Sequence, residues 1–226
     1  MADQGAVFRP AKKRARAATL FFRGSIVISA LVATVNLWQF RLWGRMGGEI
    51  AVSPLEAEIS DGASQLLAVV DVALFIGTGI SFLTWFHRVR ANLPALGIAD
   101  ARWSPGWAVG WWFVPIMSLF RPFQVAAEIW RASDPAATAV DWRERPLTPL
   151  LGWWWALFVF STIAGQLSFR LSMRAGDNST AEFMQSLALV DAASAAIDLV
   201  GAWLAIRVIA EIERRQTERS RLLAFT

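Results

Sequence analysis

Three aspartates, Asp71, Asp191 and Asp198, lie inside long apolar runs. A carboxylate in a membrane-spanning stretch must be protonated, paired or bound to a cation, so it raises a functional question by default. Asp191 and Asp198 are two helical turns apart and share one helix face. With Gln166, and with Asn36 and Gln39, they form a candidate intramembrane polar site, in which a cation or proton would follow Asp191 and Asp198. A structural reading competes. Asp71 with Arg41, and Asp191 with Arg170, are candidate ion pairs within a helical hairpin, and each acid recurs together with its base. Asp198 has no such couple, and its structural reading is an aspartate bonded across helices.

Other chemistry is poorly provided for. The chain has no Cys and a single His, which excludes thiolate nucleophiles, Cys-ligated clusters and bis-His metal sites within one chain. His87 beside Arg88 and Arg90 is either a pH-sensitive switch or an interfacial side chain with no ligand set around it. There is no nucleophile elbow, P-loop, H-E-x-x-H or dinucleotide-binding glycine motif. Proteolysis by paired aspartates lacks any supporting motif. No catalytic residue, metal or cofactor is therefore expected, and the protein is not expected to be an enzyme.

A second cluster of chemistry lies between residues 85 and 155, which are rich in Trp and Arg. Arg88, Arg90, Trp107, Trp111, Arg121, Trp130 and Arg131 form a candidate surface for anionic lipid or for a membrane or cytoplasmic protein partner. The alternative is ordinary basic flanking of membrane spans. With no Tyr and 13 Trp, the interfacial aromatic belt must come from Trp alone, including Trp103, Trp112, Trp142 and the run Trp153-Trp154-Trp155. Phe123 to Ser133 reads as a short amphipathic helix in the headgroup plane. The basic residues are spread along the chain and not grouped on one helix, so nucleic-acid binding is not expected.

The elements that must carry these residues follow from hydropathy. Of the 226 residues, 55% are hydrophobic and only 18% charged. Four stretches reach the roughly 20 apolar residues that a spanning helix needs: 24–40, 66–86, 150–169 and 183–206. The first follows Lys12, Lys13, Arg14 and Arg16 and lacks a cleavage signal, so it reads as an uncleaved anchor. A fifth run, 106–120, is short and contains Pro115, which suits a re-entrant or interfacial segment better than a span.

Gln65 to Ala73 (QLLAVVDVA) matches Gln185 to Ala193 (QSLALVDAA), and Phe40-Arg41-Leu42 with Arg45 matches Phe169-Arg170-Leu171 with Arg174. Spans one and two thus read as a tandem copy of spans three and four. Two hairpins of equal orientation require that the middle run does not cross. Counting basic residues supports this: with a non-crossing middle, 18 of the 22 Lys and Arg fall on the side of the termini, against an even split if it crosses. The acidic connector with Glu49, Glu56, Glu58 and Asp61 then lies outside.

The expected fold is an all-α integral membrane protein of four transmembrane helices, arranged as two duplicated hairpins joined by a Trp/Pro/Arg-rich re-entrant or interfacial segment. Its expected divisions are a basic cytoplasmic tail (1–18) and one membrane domain, made of a first hairpin (19–92), a middle element (93–147), a second hairpin (148–213) and a charged cytoplasmic tail (214–226). The expected location is the inner (plasma) membrane with both termini cytoplasmic. Such a bundle is also a candidate homo-oligomer.

The stretch from Trp85 to Asp134 carries a dense set of fixed spacings. It runs Trp85-Phe86-His87-Arg88, Asn92-Leu93 and Leu96-Gly97, then Ser104-Pro105-Gly106-Trp107-Ala108-Val109-Gly110-Trp111-Trp112-Phe113-Val114-Pro115. It closes on Arg121-Pro122-Phe123-Gln124 and Glu128-Ile129-Trp130-Arg131-Ala132-Ser133. This pattern resembles the bacterial membrane proteins of domain-of-unknown-function family 4328. The resemblance implies a multi-span membrane protein and brings with it no activity, cofactor or catalytic residue.

Overall fold

The computed structural model of the protein describes residues 7–46, 53–174 and 180–225. Among these residues there is no strand, and six α-helices carry the fold: α1 (Lys12–Met46), α2 (Pro54–Ala91), α3 (Pro105–Gly110), α4 (Arg121–Ala132), α5 (Pro149–Arg174) and α6 (Ala181–Leu223). Glu49 lies outside the described residues, as does the Arg174 side chain.

Helix starts are written locally. α2 opens with a capping box, in which Ser53 Oγ accepts from the Glu56 amide at 3.1 Å and the Glu56 carboxylate accepts from the Ser53 amide at 3.4 Å. Ser104 accepts from the Trp107 amide at 3.3 Å at the start of α3, and Thr180 does the same for Phe183 at 3.2 Å at the start of α6. Pro54, Pro105 and Pro149 each stand at a first helical position, where their missing N–H costs nothing.

Four of the helices, α1, α2, α5 and α6, are long and apolar enough to cross a membrane. The four expected spans are all found, but the helices outrun them. α2 continues to Ala91 and α6, 43 residues long, to Leu223. At 1.5 Å per residue α6 is about 64 Å long, twice the hydrocarbon thickness of a bilayer.

The chain forms two compact units. Unit 2 comprises residues 22–76 and 156–203, and its described residues come almost wholly from the four long helices. Its outer surface is apolar, with Val69, Phe75, Phe160, Leu167 and Phe169 all exposed, a surface suited to lipid tails and not to water. Inside it, Gly24 lets α1 approach the Leu74 side chain of α2, where an added Cβ would lie 3.2 Å from Leu74 Cδ2.

Unit 1 comprises residues 1–21, 77–155 and 204–226 and has a conventional close-packed core. Trp85, Phe86 and Val89 of α2 are buried in it, as are Leu93, Leu96 and Ile98 of the following turn, Val125 and Ile129 of α4, Trp142, and Ile209 and Ile212 of α6. Gly97, at φ +80°, ends the turn after α2 in the left-handed region that glycine enters without a steric penalty. The stretch 106–120 is broken. It contains α3, two 3-10 turns and Ile116 at φ +65°, and no helix in it is long enough to span a bilayer.

Candidate functional site

The motif residues of unit 1 have two distinct fates. Two of those expected at a lipid or partner surface, Arg90 and Trp130, are interior. Arg90 is 4% exposed and donates from Nη2 to the Ala101 carbonyl at 3.0 Å, and Trp130 is 2% exposed. Arg131 donates from Nε to the Arg145 carbonyl at 3.0 Å. Arg88 is half-buried. The amphipathic helix 123–133 is present as α4, but its apolar face (Val125, Ile129, Trp130) is buried in the protein core, so it does not lie open to headgroups as expected. The belt reading fails in the same way for Trp142, Trp154 and Trp155, which are buried, whereas Trp153 remains exposed. Trp155 and Trp112 belong to an edge-packed aromatic cluster with Phe82 and Phe86, with ring centroids 5.4–6.1 Å apart.

A polar network that the sequence does not announce stitches this core together. Asn92 accepts from the Arg9 amide and donates to both the Arg9 carbonyl (3.0 Å) and Gln216 Oε1 (3.2 Å). Gln216 Nε2 donates to the Val89 carbonyl at 2.9 Å and to Ser133 Oγ at 3.1 Å. Arg219 donates to the carbonyls of Leu96 (2.9 Å), Ala132 (3.1 Å) and Asp134 (2.8 Å). Gln216 and Arg219, within the expected charged cytoplasmic tail, are 2% and 4% exposed. Four separate segments of unit 1 thus satisfy one another's buried polar groups.

What is left on the surface is a compact Arg/Trp cluster. The Arg102 guanidinium lies 4.7 Å from the Trp103 ring centre, and that of Arg121 lies 5.0 Å from Trp103 and 5.6 Å from Trp111. Trp111 in turn contacts Trp103 edge-on at 5.2 Å and Trp107 at 4.6 Å. These distances are those of cation–π pairs, which hold the guanidinium planes and leave N–H edges for a ligand. Gln124 Oε1 takes one such N–H of Arg121 at 2.8 Å. The same segment exposes Trp107, Phe113, Ile116 and Phe120. Glu128 anchors the cluster from below, accepting the backbone N–H groups of Arg102 and Trp103. Burial pushes its carboxyl above the ordinary carboxylate range, against the opposing pull of those amides and of Arg90.

In unit 2, Asp71, Asp191 and Asp198 line one polar cleft of about 370 Å³ together with Asn36, Gln39, Ser29, Ser64 and Ser194. Of the sequence-predicted polar residues only Gln166 is absent from its lining, since it is exposed on another face of α5. The expected ion pairs do not form: Arg41 and Arg170 are exposed, and neither meets an aspartate among the described residues. Instead Ser168 donates to Asp191 and Ser161 to Asp198. The two serines are seven residues apart on α5 and the two aspartates seven apart on α6, so an antiparallel helix pair forms both rungs in one register. Arg45 is engaged elsewhere, with Glu56 at 2.9 Å.

No curated protein and no solved structure matches the chain. A family model described as Domain of unknown function (DUF4328) matches residues 48–214, a range that includes the whole of α2, α3, α4 and α5 and reaches into α6. With most of its length covered by that match, the protein belongs to this family of unknown function.

Proposed function

We propose that the protein is a non-enzymatic, multi-pass protein of the bacterial inner membrane whose Arg/Trp cluster engages anionic lipid headgroups on the cytoplasmic side. The observation that carries this reading is the pair of guanidiniums of Arg102 and Arg121 stacked on Trp103 and Trp111, beside the exposed Trp107, Phe113, Ile116 and Phe120. Apolar side chains that reach toward the acyl boundary, next to Arg and Trp at headgroup depth, are the composition of a membrane interface. The surface is smaller than the sequence suggests, since Arg90 and Trp130 are buried.

Topology is part of the proposal. The N-terminal segment, the middle and the end of α6 all contribute to unit 1. That supports placing all three on one side of the membrane, with the 106–120 run interfacial, and the basic-residue count makes that side the cytoplasm. We retain tandem duplication of the hairpins as the origin of the repeated letters, although the copies have diverged: Asp198, bonded by Ser161, stands where the first copy has Thr78.

The test is a titration of the purified protein in mixed micelles with phosphatidylglycerol, read by Trp fluorescence. Each basic residue near an anionic surface contributes about 1 kcal/mol, so Arg102→Ala with Arg121→Ala is expected to weaken phosphatidylglycerol binding about 30-fold and to leave phosphatidylcholine binding unchanged. Equal affinity of the variant and the natural protein for the anionic lipid would refute the reading.

A further inference from the structure

The Arg/Trp cluster rests on a stretch of chain with little structure of its own. Residues 98–104, between the Gly97 turn and α3, form no helix, and no backbone group of residues 99–103 bonds to another backbone group among the described residues. Buried backbone groups need partners, so side chains from other elements must supply them here. Arg90 of α2, 4% exposed, donates to the Ala101 carbonyl at 3.0 Å, and Glu128 of α4 accepts the N–H groups of Arg102 and Trp103. Just before them, Trp142 and Arg143 each donate to Asp100 at 2.9 Å.

The three residues held in this way set the whole cluster. Trp103 is the ring on which both guanidiniums stack, Arg102 at 4.7 Å and Arg121 at 5.0 Å, and it packs edge-on against Trp111 at 5.2 Å. A shift of the backbone at 102 and 103 moves Arg102 directly and takes the platform away from Arg121. Cation–π attraction is confined to about 6 Å from the ring centre, so a small displacement is enough to undo both stacks.

The charge of Glu128 strengthens the grip, because an N–H bond to an ionised acceptor is about twice as strong as one to a neutral acceptor. The charged groups that act on this carboxylate are Arg90 from α2 and Arg102 from the held segment, and neither forms an ion pair with it among the described residues. Glu128 Oε2 and Arg90 Nε are both buried without a hydrogen-bond partner. Burial opposes ionisation of the carboxyl, which brings it within reach of a proton in mild acid. We propose that ionised Glu128 is a positioning residue for the lipid surface: it holds Arg102 and Trp103 in the stacked arrangement, and its protonation releases them and weakens the engagement of anionic headgroups. This rests on the lipid reading above.

The experiment uses the full chain in detergent micelles. Without lipid, amide exchange at Arg102 and Trp103 is followed by mass spectrometry of overlapping peptides. Glu128→Ala removes the acceptor and should speed exchange of both amides at least about tenfold. With phosphatidylglycerol in mixed micelles, Glu128→Gln keeps the shape of the side chain and removes its charge. It should bind about tenfold more weakly than the natural protein at about pH 8 and change little down to about pH 5. The natural protein should lose affinity several-fold over the same range, in which the lipid phosphodiester does not titrate. Unchanged exchange in Glu128→Ala, undiminished affinity in Glu128→Gln, a natural protein indifferent to pH, or the same pH profile in both proteins would each overturn the proposal. Unweakened phosphatidylglycerol binding by Arg102→Ala with Arg121→Ala refutes the lipid reading instead, and the exchange rates then decide separately whether Glu128 holds the segment.

Discussion

Replacing Arg219 by alanine is expected to destabilise the protein by about 3–5 kcal/mol and to lower its unfolding midpoint in micelles by roughly 10 °C. The guanidinium is nearly inaccessible and serves the carbonyls of Leu96, Ala132 and Asp134 from two different segments of unit 1. Truncation leaves those acceptors without a donor where water does not reach, and removes the volume of a long side chain from a packed core. Arg219→Lys keeps the charge but not the fork of N–H groups, so it should recover little of the loss. Arg221, exposed in the last turn of α6, is the control, and its alanine variant should change stability by less than about 0.5 kcal/mol. Thermal melts of the four proteins separate a structural arginine from a solvated charge run, because the solvated reading predicts equal and negligible effects at both positions.

Trp85→Ala is expected to cost about 3–5 kcal/mol as well. The indole is fully buried, packs 5.5 Å from the Phe82 ring and 6.2 Å from the Phe86 ring, and donates Nε1–H to Glu213 Oε1 at 2.9 Å. That bond joins α2 to α6 within unit 1. Trp85→Phe separates the two contributions: it keeps most of the apolar volume and removes the donor, so it should cost about 1.5–3 kcal/mol, the range for a bond to a charged acceptor. An interfacial tryptophan facing lipid would tolerate both changes. Chemical or thermal unfolding of the two variants decides between core and belt.

These residues show where sequence reading succeeds and where it stops. The four spans are legible because about 20 consecutive apolar residues seldom occur in a helix that keeps one face in water. Their ends are not, since hydropathy stops at the membrane while helix persists wherever packing supports it, as in Arg88 to Ala91 and in α6 beyond Ile206. The broken character of 106–120 is legible from its length and Pro115. The partners of Trp130, Trp142 and Trp154 are not, because an amphipathic indole suits a lipid interface and a protein core equally well. The buried roles of Gln216 and Arg219 are hidden in what reads only as a charged cytoplasmic tail (214–226), although the spacing of Ile209, Ile212, Gln216 and Arg219 continues one helix face and carries the signal. The shared cleft of Asp71, Asp191 and Asp198 follows from their positions in the spans. The bonds within it are harder to see, although two serines and two aspartates, each pair seven apart on antiparallel helices, hold the register.

The central claim is that the N-terminal segment, the middle of the chain and the end of the last helix lie on one side of the membrane. The chain has no natural cysteine, so single cysteines can be placed at Lys13 and at Thr138, both exposed in unit 1. Ser133 would be a poor choice, being fully buried and bonded to Gln216. Both positions are expected to resist a membrane-impermeant maleimide in intact cells and to react once the membrane is permeabilised. Protection at Lys13 with labelling at Thr138 in intact cells would mean that the middle segment crosses, and would contradict the claim.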